Sequence, residues 1–308
     1  MAREHRTLTD WSLFAILTAL WGCAYGFTRL AVSQSDPDLG FPPEFIIPVR
    51  ITIGAVVLLV AATLSRQNWP PLRAWRQWLA MAAMGTIGTA MPFLLITNAQ
   101  QTVDSSLAAL YVAAAPLFVA VLAHFLFQDD RISLAKAGGV AVGFAGVAVL
   151  FGPEAIASFG SASVFAQALC LTATAFYAFS TIIARYARDI PPFIFAAGFL
   201  CFGAVATWPM LLFVDFGALT PSPAAITGVI GLGIGPTAMA SVFYMLLIQR
   251  TSATFLSMTG YTIPIFSAIV GYLAFREVQS WNALLAFILI LGGVWLSQRK
   301  PTALAVKA

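Results

Sequence analysis

Ten stretches of this chain are long and apolar enough to cross a lipid bilayer, and no other feature restricts the fold as much. They run roughly over 11–32, 44–64, 77–98, 105–126, 135–152, 162–184, 193–214, 224–248, 253–275 and 280–297. A spanning helix needs about 20 mostly apolar residues. A transmembrane barrel would instead alternate apolar and polar residues over ten-residue segments, and that alternation is absent. The expected fold class is therefore an all-α polytopic membrane protein. Only 9% of the 308 residues are Asp, Glu, Lys or Arg, too few to cover a water-soluble domain. A soluble enzyme, a disordered chain, a collagen and a disulfide-rich secreted module are all excluded. Connectors such as Pro42-Pro43, Pro70-Pro71, Pro191-Pro192 and Pro221-Ser222-Pro223 end helices, and none is long enough for a separate soluble domain. The first stretch is long for a signal peptide and lacks a small-x-small cleavage site, so it reads as a span. Leu20-Trp21-Gly22-Cys23 fits a lipoprotein box badly because of the bulky Trp21, and Cys23, Cys170 and Cys201 show no metal or redox spacing.

Basic residues orient the spans. With the N-terminus in the cytoplasm and alternating crossings, 13 of the 16 Lys and Arg residues fall inside: Arg3, Arg6, Arg66, Arg73, Arg76, Arg131, Lys136, Arg185, Arg188, Arg250, Arg299, Lys300 and Lys307. The outer loops hold Arg276 and mostly acids, among them Asp36, Asp38, Glu44, Asp104, Glu154, Asp215 and Glu277. A miscounted span would scramble this split, so ten spans with both termini cytoplasmic are expected. The basic residues fall singly between apolar blocks, which argues against nucleic-acid binding.

The chain also matches itself. Gly85-Thr86-Ile87-Gly88-Thr89-Ala90-Met91 aligns with Gly233-Ile234-Gly235-Pro236-Thr237-Ala238-Met239 at an offset of 148. The same register pairs Gln101 with Gln249, Pro116 with Pro264, Phe118 with Phe266 and Asp129 with Glu277. An offset of 156 pairs Trp21 with Tyr177 and Arg29 with Arg185. Residues 1–152 and 153–308 thus read as two copies of a five-span unit. Five is odd, so the copies enter the membrane from opposite sides, an inverted-topology repeat of the secondary-transporter kind, with a substrate site near the midplane between copies.

These features resemble the drug/metabolite transporter superfamily, specifically its EamA-type exporters. The resemblance rests on Trp21-Gly22, Arg50, the proline–aromatic groups Pro116-Leu117-Phe118 and Pro264-Ile265-Phe266, and the acids that follow at Asp129-Asp130 and Glu277. Asp129-Asp130 stands where that family usually has Gly-Glu. The resemblance implies export of small metabolites, commonly amino acids, across the bacterial inner membrane. The aromatic-rich interior is most similar to the YddG-type aromatic amino acid exporters.

The candidate substrate-binding residues are Trp21, Tyr25, Asn98, Tyr111, Tyr177, Thr181, Tyr244 and Tyr261. A tyrosine hydroxyl deep in hydrocarbon wants a partner, so these rings face protein or water rather than lipid. They form either a cavity that stacks on apolar or aromatic side chains, its hydroxyls serving an amino-acid head group, or ordinary interhelical packing. Pro116 and Pro264 each remove one backbone hydrogen bond and read as paired hinges or as static kinks. The spaced glycines, Gly85, Gly88, Gly138-Gly139, Gly143, Gly146, Gly231, Gly233, Gly235 and Gly292-Gly293, let helices approach closely. Trp69, Trp75 and Trp78 read as interface anchors. Arg29 and Arg50 are the intramembrane charges, placed near outer span ends. They either snorkel, pair with Asp36, Asp38 or Glu44, or touch substrate. His124 reads as an interface residue rather than a proton relay.

Every acid falls in a loop or at a span end, so either a facilitator or coupling through another group is expected. No strongly anionic recognition is apparent at the midplane. An intramembrane enzyme is the rival reading; it would need a nucleophile with a base, mid-span paired aspartates or a metal cluster, and the sequence offers none. A drug exporter is the rival within the transporter class. Neither a cofactor nor a metal is expected. The partners expected are a small-molecule substrate and membrane lipid, with the monomer as functional unit.

Overall fold

The computed structural model describes residues 7–126, 134–152, 161–187, 189–251, 255 and 258–298. It is all-helical, with no strand among these residues. The helices, in chain order, are α1 (Leu8–Val32), α2 (Pro43–Leu64), α3 (Trp75–Gly85), α4 (Met91–Ala99), α5 (Ser105–Val112), α6 (Ala115–Leu126), α7 (Leu134–Phe151), α8 (Ala162–Tyr186), α9 (Pro192–Thr207), α10 (Pro223–Leu232), α11 (Ala240–Arg250), α12 (Thr259–Phe275) and α13 (Trp281–Gln298). Wide-turn π-helical segments, Thr86–Ala90 and Gly233–Met239, join α3 to α4 and α10 to α11.

Helix starts follow local chemistry. Thr7 and Asp10 form a capping box on α1, the Asp10 amide donating to Thr7 Oγ1 at 3.3 Å and the Thr7 amide to Asp10 Oδ2 at 3.0 Å. Ser161 and Ser222 cap α8 and α10 through their hydroxyls. Prolines open α2, α9 and α10, where the missing amide donor costs nothing.

Seven stretches are long and apolar enough to cross a bilayer: Leu8–Val32, Pro37–Leu64, Trp75–Ala99, Ser105–Leu126, Ala162–Ala184, Pro192–Phe213 and Pro223–Leu247. Lys136–Phe151, Thr259–Phe275 and Trp281–Ser297 are shorter apolar helices. Of the ten spans expected, the fifth, ninth and tenth are therefore these shorter ones. Large apolar side chains such as Val56, Val60, Ile230, Ile269, Leu273 and Ile288 point outward, as a lipid-facing surface requires.

The packing has a dual pattern. α1 lies against α10, α11 and α12, while α8 lies against α3, α4, α5 and α6. α3 packs on α9, and α2 on the second π-segment; α2 packs on α9, and α7 on α13. Exchanging the first five expected spans for the last five maps each of these contacts onto another or onto itself. The contacts between the halves outweigh those within either half, so the apolar core is interleaved rather than divided. Small residues set the closest approaches. A Cβ on Gly85 would collide with the Phe199 carbonyl, and one on Gly293 with the backbone of Gly143.

Two sequence expectations need adjustment. The fourth span is broken at Ala113-Ala114, which puts Pro116, expected as a mid-span hinge or kink, in the first turn of α6. Pro264 sits within an unbroken α12. The two prolines are thus not alike in local structure. They do converge, since the carbonyl that Pro264 leaves without its helical partner belongs to Gly260, where a Cβ would lie 3.8 Å from the Pro116 ring.

Candidate functional site

Arg50 is the centre of the most unusual environment in the bundle. It lies seven residues into α2, about 10 Å below that helix's start, and is 4% exposed. It does not snorkel, and it bonds to none of Asp36, Asp38 and Glu44. Its Nε and Nη2 donate to Thr237 Oγ1 at 3.3 and 3.1 Å, and its guanidinium lies 3.8 Å over the Phe93 ring, a cation–π contact strengthened by the dry surroundings. Among the described residues no carboxylate pairs with it.

The π-segment brings Thr237 to Arg50. Thr237 accepts at Oγ1 from Arg50, and its carbonyl accepts from Ser241 Oγ at 2.6 Å. Gly54 makes room for it: a Cβ there would lie 2.7 Å from Thr237 Cγ2. A Cβ on Gly233 would lie 2.6 Å from Ile53. These two glycines let side chains of α2 and the π-segment reach each other's backbone.

Aromatic groups surround this point. Tyr25 is buried seven residues before the end of α1, at the depth of Arg50. Tyr25 and Tyr177 belong to one apolar cluster, Tyr25 within it and Tyr177 packed against it. The Tyr25 and Tyr177 hydroxyls bond to no described residue. Trp21, one turn before Tyr25, packs on Tyr244 with ring centroids 5.4 Å apart. Tyr25 with Tyr177, and Trp21 with Tyr244, thus form two aromatic pairs one helical turn apart along α1.

The other expected residues stand apart. The Tyr111 hydroxyl donates to Gln167 Oε1 at 2.5 Å, and its ring meets the edge of Phe151, so it ties α5 to α8. Asn98 donates to its own helix at the Leu94 carbonyl, 2.9 Å away. Thr181 is exposed and donates to the Tyr177 carbonyl. Tyr261 packs beside Ile263 on the cluster around Leu117 and Ile290.

Sequence reasoning missed the residues beside Asn98. Thr97 and Gln100 are both fully buried. Gln100 Nε2 donates to the Tyr25 carbonyl at 2.8 Å, whereas Gln100 Oε1 and Thr97 Oγ1 have no partner. Phe93, Thr97 and Gln100 stand at helical spacing on one face of α4, the face that Arg50 and Tyr25 touch. Asn98 is turned about 100° away. A polar pair at i, i+3 inside an apolar helix was the available signal.

A second polar cluster sits where α1 and α12 end and α5 begins. Glu277 accepts from the Ser105 amide and hydroxyl at 3.1 and 2.7 Å, and from the Ser106 amide and hydroxyl at 3.0 and 2.5 Å. Arg29 pairs with Glu277 and, at 2.7 Å, with Asp104. Gln279 Nε2 donates to Ser106 Oγ at 2.5 Å. Burial raises the Glu277 pKa, yet the bonds from Ser106 and Ser105 outweigh it and hold the carboxyl below its ordinary range. Arg29 therefore pairs with Asp104 and Glu277 rather than with Asp36, Asp38 or Glu44. Asp129, the repeat partner of Glu277, and the Arg185 side chain lie outside the described residues. At the opposite end Trp69 and Trp78 stack with ring centroids 6.0 Å apart, and Asp10 accepts from Arg250 Nε at 2.8 Å.

No group of three metal-ligating side chains occurs among the described residues. The arrangement instead offers a buried cation, aromatic faces and free hydroxyls at the junction of the two halves.

Comparisons with known proteins follow this geometry. The EamA-like transporter family model matches twice, over residues 9–152 and 164–298. A transporter of Bacillus subtilis, YdfC, is 24% identical over 93% of this chain and 90% of its own. A probable terminal-alkyne amino-acid exporter of Streptantibioticus cattleyicolor is 26% identical over 94% of this chain and 93% of its own. The aromatic amino acid exporter YddG of Ancylobacter novellus is 26% identical over 95% and 96%. A protein of known crystal structure shares the fold at a TM-score of 0.63 and 22% identity, over 94% of this chain and 97% of that one.

Proposed function

We propose that this chain, which belongs to the EamA-like transporter family, exports amino acids, aromatic ones included, across the bacterial inner membrane by alternating access. One observation carries the reading: π-segments interrupt the regular helical ladder at corresponding places of the two family matches, Thr86–Ala90 and Gly233–Met239. Such interruptions in a buried helix are rare and cluster at functional sites. Here one of them holds the hydroxyl that meets Arg50. The dual packing pattern supports two five-helix copies of opposite hand, arranged around a path between them.

In this reading Trp21, Tyr25, Tyr177 and Tyr244 receive the substrate side chain, and Asn98, Tyr111, Thr181 and Tyr261 lie along the route toward either face. Pro116 and Pro264 act as hinges where their helices meet. Both termini are cytoplasmic, which puts the Glu277 cluster at the outer surface, and a monomer suffices because both copies are in one chain. The amino-acid assignment draws on the aromatic cluster and on the names of two relatives, one an aromatic amino acid exporter and one an amino-acid exporter.

Counterflow with a panel of radiolabelled amino acids in liposomes containing the purified protein tests this. Saturable uptake of aromatic amino acids, competed by unlabelled substrate and unaltered by an imposed pH gradient, is expected. Non-saturable flux would indicate a pore, and strong gradient-driven accumulation would overturn the uncoupled form of the reading.

A further inference from the structure

We infer that Arg50, Thr97 and Gln100 form the head-group subsite of this transporter, Arg50 binding a substrate carboxylate and Thr97 and Gln100 its ammonium. The inference rests on the amino-acid reading above and deepens it.

A guanidinium moved out of water into an apolar interior needs compensation. Here Thr237 engages only Nε and Nη2, both through one neutral oxygen. Nη1 bonds to no described residue, and the nearest aromatic face, Phe93, offers no lone pair. A planar carboxylate matches what is left of the fork.

Two acceptors stand in the opposite condition. Thr97 Oγ1 and Gln100 Oε1 are buried with no hydrogen bond. In a membrane interior each such atom carries a desolvation cost. Thr97 stands about one helical turn, ~6 Å along the axis, from the Phe93 beneath the guanidinium. Gln100 is anchored by its amide to the Tyr25 carbonyl. The guanidinium with its spare donors and the two unpartnered acceptors thus border the same face of the Phe93–Gln100 segment. An α-amino acid supplies a partner to each, a carboxylate to one and three N–H donors to the other. Its side chain is then left to Trp21, Tyr177 and Tyr244.

The test uses the full-length protein in proteoliposomes and three probes: phenylalanine, phenylalaninamide, which lacks the carboxylate, and 3-phenylpropanoate, which lacks the ammonium. The intact protein should prefer phenylalanine to each analogue by about tenfold or more, the scale of losing charge-assisted hydrogen bonds. Arg50→Gln should collapse the preference over the amide and spare the preference over phenylpropanoate. Thr97→Val with Gln100→Leu should do the reverse. Thr237→Val is the control for structure alone: it removes the tie to Arg50 and keeps the charge, so both preferences should persist.

If Arg50→Gln lowers transport of all three probes alike, or fails to fold while Thr237→Val also erases both preferences, Arg50 is a structural tie and the inference falls. Should the intact protein move phenylalanine while neither variant shifts its ratio, the subsite alone is wrong. An intact protein that moves no probe and no amino acid overturns the underlying amino-acid reading as well.

Discussion

Replacing Glu277 by Gln probes the cluster at the end of α12 without changing its size. Each Glu277 oxygen accepts from one backbone amide and one hydroxyl, and Arg29 joins at Oε1. The Gln amide must present its NH2 to one of these pairs. A serine hydroxyl can rotate to accept from it, but a backbone N–H cannot. One buried donor is therefore left facing another, a cost of about 1–3 kcal/mol. The start of α5 also loses a negative charge, worth about 0.3–1 kcal/mol against the helix dipole, and Arg29 loses one of its two carboxylate partners. Breaking a buried ion pair from one side costs about 3–5 kcal/mol in total, so a destabilisation near the lower bound, about 3 kcal/mol, is expected. Equilibrium unfolding in mixed micelles measures it. The pH dependence is a second readout. The native carboxyl titrates below its ordinary range, so its contribution is present above the unfolded glutamate pKa, about 4.3, and is lost as pH falls through the lower native value. The Gln variant should lack that acid-side loss. A destabilisation under about 0.5 kcal/mol, or identical acid profiles for the two proteins, would refute the reasoning.

Two further predictions concern the helix contacts. Gly293→Ala should destabilise by about 1–3 kcal/mol through overpacking, because its Cβ would collide with Gly143. Gly292→Ala, with nothing within 4 Å, should be neutral or slightly stabilising, and thermal unfolding in detergent separates the two. Pro264→Ala should slow counterflow by more than it reduces folded yield, and normal flux in that variant would argue against a hinge.

The sequence made the apolar helices, the family and the internal match legible, because each is written in local pattern. What it could not show was which residues meet. Arg50 stands seven residues from a helix start and so resembles a residue that reaches for water. Its actual partner, Thr237, is 187 positions away. Glu277 reads as a loop acid until α5 is known to begin beside it. Asn98 drew attention as an intramembrane amide, yet a rotation of about 100° per residue turns Thr97 and Gln100 inward instead. The match at offset 148 reads as an internal repeat and its glycines as close helix contacts. That both segments would widen into π-turns had no local signature, since one contains a proline, Pro236, and the other contains none.

The seam between α7 and α13 bears on how such a molecule can move. Gly139 and Gly293 press main chain against main chain there, and Gly146 meets Leu289 and Ile290. Helices in such close contact resist shearing, so this pair moves as one body. Should the molecule rock between two open forms as proposed, the movement would fall to the remaining helices rather than to this seam.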